Sequence, residues 1–162
     1  MISIFYLAFA FIGATLHFIF SKSKERTLEL YLLYLIVFCI GVSGLAAAGF
    51  HTFLAAQTAE QIGWAPGSPF QFEVAMANLA VGVAGILCIW FRGSFWLATV
   101  IISSIFLYGA AYGHFVQLTK GDHSPYNSGV FLYLNDLGIP LLIDLLAWGY
   151  FRKGFSPASR TH

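Results

Sequence analysis

Ile62-Gly-Trp-Ala-Pro-Gly-Ser-Pro-Phe-Gln-Phe-Glu73, running on into Val74-Ala-Met-Ala-Asn78, punctuates this chain. Its first half is turn chemistry and its second half begins an apolar run. Pro66, Gly67 and Pro69 specify a rigid connection, and Ser68 is placed to cap a helix that Pro69 begins. Glu73 then falls in the first turns of that helix, where the dipole favours an anion. The stretch therefore separates two apolar segments and carries a carboxylate to the mouth of the second.

Moving outward, the composition decides the class. Hydrophobic residues make up 59% of the 162-residue chain and charged residues 9%, with a mean hydropathy of +0.77. A soluble domain carries roughly 25% charged residues, so this chain cannot clothe itself in a hydrated surface. It reads as an all-α integral membrane protein, with the lipid bilayer as its first partner. A net charge of +1 argues against nucleic-acid binding. Cys39 and Cys88 each fall inside an apolar run and read as small buried side chains.

Five runs are long enough to span, since about 20 apolar residues cross the hydrocarbon core. They cover about Ile2 to Phe20, Leu28 to Leu54, Phe70 to Phe91, Ser94 to Leu118 and Val130 to Phe151. The first lacks the basic leader of a secretory signal peptide and is expected to be retained. Small residues recur at helical spacing in the second and third runs (Gly41, Gly44, Ala48; Ala75, Gly82, Gly85) and as Gly109 and Gly113 in the fourth. Such faces let helices approach closely, within this chain, with a second copy or with another membrane protein. Residues 1–153 form one transmembrane domain in this reading, and 154–162 a disordered cytoplasmic tail. Lys22, Lys24, Arg26, Arg92, Arg152, Lys153 and Arg160 fall on one side of a five-helix arrangement, and Lys120 alone on the other. The positive-inside rule then puts the N-terminus outside and the C-terminus inside. Trp64, Trp90, Trp96 and Trp148 are expected in interfacial belts.

Ionisable residues inside a bilayer are costly and mark candidate function. In this topology four helices each bring one such group to a similar outer depth: His51, Glu73, His114 and Asp136. Gln71, Asn78, Gln117 and Asn135 accompany them as hydrogen-bonding neighbours. The set suits an outward-facing polar pocket for an organic ligand, a proton relay, or a transition-metal site at His51, Glu73, His114 and Asp136. Axial haem ligation by His51 and His114 is a further option. Deeper, Asp144 follows Asp136 by two turns with Pro140 between them, and Pro140 should loosen the helix and free a carbonyl. His17 is expected at the depth of Asp144, as its hydrogen-bond partner or as part of a proton path toward the cytoplasm. Asp122-His123 precedes the turn-rich Ser-Pro-Tyr-Asn-Ser-Gly, which reads as a solvated loop or a lid. A Ser/His/Asp triad, a phosphate-binding glycine loop and a Cys-x-x-Cys pair are absent from the sequence.

The span Gly67 to His114 resembles the DoxX-like small bacterial membrane proteins: Glu73 opens a helix, Gly82-Val-Ala-Gly85-Ile-Leu follows, Arg92 marks the turn, and the next helix ends in Gly113-His114. It is also similar to uncharacterised membrane proteins sharing an Ile-Gly-Trp-x-x-Gly-Ser-Pro-Phe-Gln-x-Glu stretch. The resemblance implies a four-helix core, here with one helix added, in a bacterial cytoplasmic membrane. It further implies a redox-active or lipophilic ligand such as a quinone. Two other functions stay open at this point. One is a non-enzymatic accessory subunit of a larger membrane complex, and the other is the embedded metal site.

Overall fold

A computed structural model describes residues 2–21 and 27–154, without the side chain of Lys153. Six helices account for it, and the described residues contain no strand. Helix α1 is Ile2–Phe20, α2 is Thr27–Phe53, α3 is Ala55–Ile62, α4 is Phe70–Leu87 and α5 is Ser94–Thr119. Helix α6 starts at Phe131 and ends at Gly154. All but α3 are long and apolar enough to cross a membrane. The five expected spans are therefore present, and the chain is a multi-pass membrane protein in build. Lys22, Lys24, Arg26, Arg160 and the tail from 155 lie outside the described residues, as does the side chain of Lys153.

Helix α2 is the hub, packing against α1, α4 and α6. Its contact with α4 is backbone on backbone. A Cβ placed on Gly85 would lie 2.5 Å from the Gly41 nitrogen, and one on Gly82 2.6 Å from the Leu45 nitrogen. The glycines at 41, 44, 82 and 85 thus form the close-packing face read from the sequence. Trp96 is fully buried, its indole N–H donating to the Cys88 carbonyl at 2.8 Å. It pins the α4–α5 turn from inside and is not a belt residue, whereas Trp90 and Trp148 are exposed. Cys39 and Cys88 are buried in the core. At the same end, Arg92 pairs with Glu29 at 2.9 Å.

Several local expectations are corrected. The sequence suggests only a connection between the spans ending at Leu54 and beginning at Phe70, but 55–62 is helix α3, ended by Gly63 in the left-handed conformation (φ +83°). Ala-Ala-Gln-Thr-Ala-Glu-Gln is a run of good helix formers, and a glycine just past it is a common stop. Ser68 gives α4 its backbone carbonyl, which accepts from the Gln71 N–H at 3.1 Å, and Pro69 rather than Ser68 sits at the cap without a side-chain bond.

Two transmembrane segments are wound wider than an α-helix. Ile36–Val42 in α2 and Phe131–Gly138 in α6 are π-helical. Pro140 accounts for the second: it has no N–H for the turn before it, so the carbonyls there lose a partner and the winding opens. In the first, the Ser43 hydroxyl takes the Cys39 carbonyl. Both wide turns border the same internal space.

Candidate functional site: a cavity inside the bundle

That space is a cavity of about 640 Å³, a size ordinary for small-molecule sites. Its walls are mostly apolar and come from every spanning helix, α1 included through Ile2, Ser3 and Tyr6. Four spans were expected to supply its polar groups, and α1 joins them in the wall. Ser3 also ties α1 to α6, donating to Asn135 at 2.8 Å.

Of the residues expected to converge, His51, Asn78, His114, Gln117 and Asp136 line the cavity, with Asn135 beside them. Glu73 does not: it is exposed on α4, and the buried polar residue of that first turn is Gln71, which donates to the Ala55 carbonyl at 2.6 Å and so fixes the start of α3. Asp144 and His17 do not line it either. Asp144 accepts from Ser104 at 2.6 Å and Tyr108 at 2.8 Å, joining α5 to α6, while His17 is exposed and bonds Tyr34 at 3.2 Å. The expected Asp144–His17 pair is replaced by these two separate bonds. Among the described residues no three His, Cys, Asp or Glu side chains gather as a metal requires. The four-residue metal set is therefore not assembled, Glu73 being turned away from the other three.

Of the two readings of the Asp122-His123 segment the lid is the one found, with Thr58 and Trp64 as additions that the sequence did not point to. Trp64, Thr58, Tyr126 and Asn127 all line the cavity. Tyr126 donates its backbone N–H to the Gln61 carbonyl at 3.2 Å, and the Asn127 amide donates to the Ile62 carbonyl at 3.2 Å. Asp122 lies against Gly63, where any side chain would collide with its carboxylate. The Ser124 hydroxyl and backbone N–H both donate to Asp122 and hold its carboxyl below the usual range. Helix α3 and the 122–128 turn are thereby knitted into a lid. Asn127 is completely buried, and a buried amide inside a Ser-Pro-Tyr-Asn turn was the one available clue.

Asn127 also determines the tautomer of His114. A carbonyl only accepts, so the Asn127 atom facing Ile62 is its NH₂ group, and Oδ1 faces His114 Nδ1 at 2.7 Å. Nδ1 must then carry a hydrogen. The other ring nitrogen, Nε2, stands 3.7 Å from Oδ2 of Asp136, which is 2% exposed. Oδ1 of Asp136 is taken by the Asn135 amide at 2.7 Å. Two bare lone pairs facing each other out of water are unfavourable, so this edge is balanced when one proton lies on it, on either atom. At 3.7 Å the contact is an ion-pair distance rather than a hydrogen bond. Asp136 Oδ2 is left without a hydrogen-bond partner, as is Nδ1 of His51, whose ring lies 6.1 Å from that of Trp64. Both atoms border the cavity, and each costs about 1–3 kcal/mol until it is paired.

The chain belongs to DUF6790, a family of unknown function whose sequence model matches residues 1–154. No curated protein and no solved structure matches it.

Proposed function

We propose that this DUF6790 protein sits in a bacterial cytoplasmic membrane, N-terminus outside, and binds one lipophilic, quinone-like small molecule in its bundle cavity. One observation carries the reading: a largely apolar cavity of about 640 Å³ holds unpaired polar atoms on His51 and Asp136. A ring-shaped ligand with polar oxygens fits such a space, its body against the apolar walls and its oxygens on those atoms. His114 and Asp136 then share one proton that they give to, or take from, a ligand oxygen. Asn127 keeps Nδ1 protonated so that only the Nε2 edge takes part. The resemblance to DoxX-like proteins supports the same ligand class.

Trp64 in the cavity wall gives a readout. Decylubiquinone added to the protein in nanodiscs should quench the Trp64-dependent fluorescence, defined by difference from Trp64→Phe, saturably and with one site. Asp136→Asn and His114→Ala should each weaken it by about tenfold. Non-saturating quenching, equal in all variants, would mean simple partitioning into lipid and would defeat the proposal.

A further inference from the structure

The lid closes the cavity toward the loop end: Thr58, Ile62 and Asn127 are all buried where α3 meets the 122–128 turn. The side wall between α4 and α5 is different. These helices are joined near their turn, by the Trp96–Cys88 bond, by Cys88 Sγ against Thr99 at 3.6 Å, and by Phe91 against Phe95. Farther along, Ile105, Gly109 and Gly113 follow one another four apart on one face of α5. All three line the cavity, and all three are exposed. A residue that does both marks where the cavity reaches the outside; Ile2 does so at the very start of α1, whereas the α5 stripe does so along the length of a membrane-spanning helix, where the outside is lipid. A Cβ on Gly109 or Gly113 would meet no atom within 4 Å, whereas on Gly82 or Gly85 it would strike backbone. The first pair therefore keeps a slot open, and the second pair closes a joint.

We infer that the gap between α4 and α5 is a lateral portal, through which a lipid-soluble ligand enters from the bilayer and in which its apolar tail remains. This rests on the ligand reading above. The stripe from Ile105 to Gly113 is about 12 Å long at 1.5 Å per residue, enough for several carbons of tail. Inside, Asp136 supplies the polar end: it is 2% exposed, with one carboxylate oxygen unpaired. The ligand class is thus narrowed to amphipathic molecules with a polar ring head and a linear apolar tail. Small water-soluble molecules face the lid instead and are poor ligands.

The test compares decylubiquinone with the same benzoquinone head lacking its tail, on wild type and on Gly109→Leu/Gly113→Leu in nanodiscs. The portal predicts that wild type prefers the tailed compound and that the double variant loses affinity for it by about tenfold more than for the tailless head. Equal changes for the two compounds would overturn the portal while leaving the cavity ligand standing. Wild type that binds neither would overturn both. A second measurement needs no variant: a quinone with a diazirine in its tail, photolysed on the wild-type protein and mapped by peptide mass. Labelling within 74–81 or 105–113 supports the portal, and labelling confined to 58–64 or 122–127 contradicts it.

Discussion

Because the Ile62 carbonyl can only accept a hydrogen bond, a backbone atom on α3 determines which nitrogen of an imidazole on α5 carries the hydrogen. Asn127 passes the constraint across, with its amide on Ile62 and its oxygen on His114. Asn127→Ala should leave both groups unpaired beneath the lid and cost about 1–3 kcal/mol, measured as a lower midpoint of unfolding in mild detergent. It should also release the tautomer, which nitrogen-15 shifts of His114 would report as loss of a pure Nδ1–H signal. Unchanged shifts would mean that Asn127 does not set the ring. At this scale the sequence was half legible. His51, His114 and Asp136 could be placed at one depth by counting along spans, because depth follows from helical rise. Which way Glu73 points could not, since one residue of rotation exchanges a buried position for an exposed one. Gln71, two residues earlier, took the inward place.

Elements show the same division. Composition alone locates the five spans, and the glycines at 41, 44, 82 and 85 mark the α2–α4 joint because nothing larger fits between two backbones in contact. Exposed and buried glycines should therefore answer the same substitution with opposite sign. Gly82→Ala forces a methyl into the α2 backbone and should cost about 1–3 kcal/mol. Gly109→Ala meets open space and should gain about 0.5–1 kcal/mol from the stiffer helix. Thermal unfolding of the two variants beside wild type checks both, and a loss at Gly109 would mean that a neighbour covers it. The π-helical turns were not legible in their extent, since no residue pattern specifies a wide turn. Pro140 nonetheless announced a weakened ladder in α6. The lid adds a pH effect. Asp122 has its carboxyl lowered by the Ser124 bonds, so its contribution is present above the ordinary value of 3.8 and is lost as the pH falls through and below it. The protection of amides in 58–64, taken relative to their intrinsic exchange rate at each pH, should fall under acid in wild type and stay flat in Asp122→Asn.

For the molecule as a whole, the charge pattern predicts which end meets the cytoplasm. The lid would then face outward and the Arg92–Glu29 end inward. A membrane-impermeant maleimide should label His123→Cys in intact cells and Arg152→Cys only after lysis, against a low background because Cys39 and Cys88 are buried. The reverse pattern would invert the topology and place the lid in the cytoplasm. The outward opening expected from the sequence needed a solvated mouth between α3 and the 122–128 turn. The structure fills that place with hydrogen-bonded backbone, and the cavity instead reaches the surface beside Gly109 and Gly113 and at Ile2. Loop conformation of this kind depends on a few long-range bonds, which no local pattern encodes.

Whether the cavity holds a small lipophilic molecule is read most simply by native mass spectrometry of the protein released from its own membrane. The expected spectrum is a monomer carrying one small molecule, which is lost when Ala110→Trp fills the cavity wall. A bare polypeptide mass, or a stable assembly with another polypeptide and no small molecule, would contradict it and favour an accessory subunit.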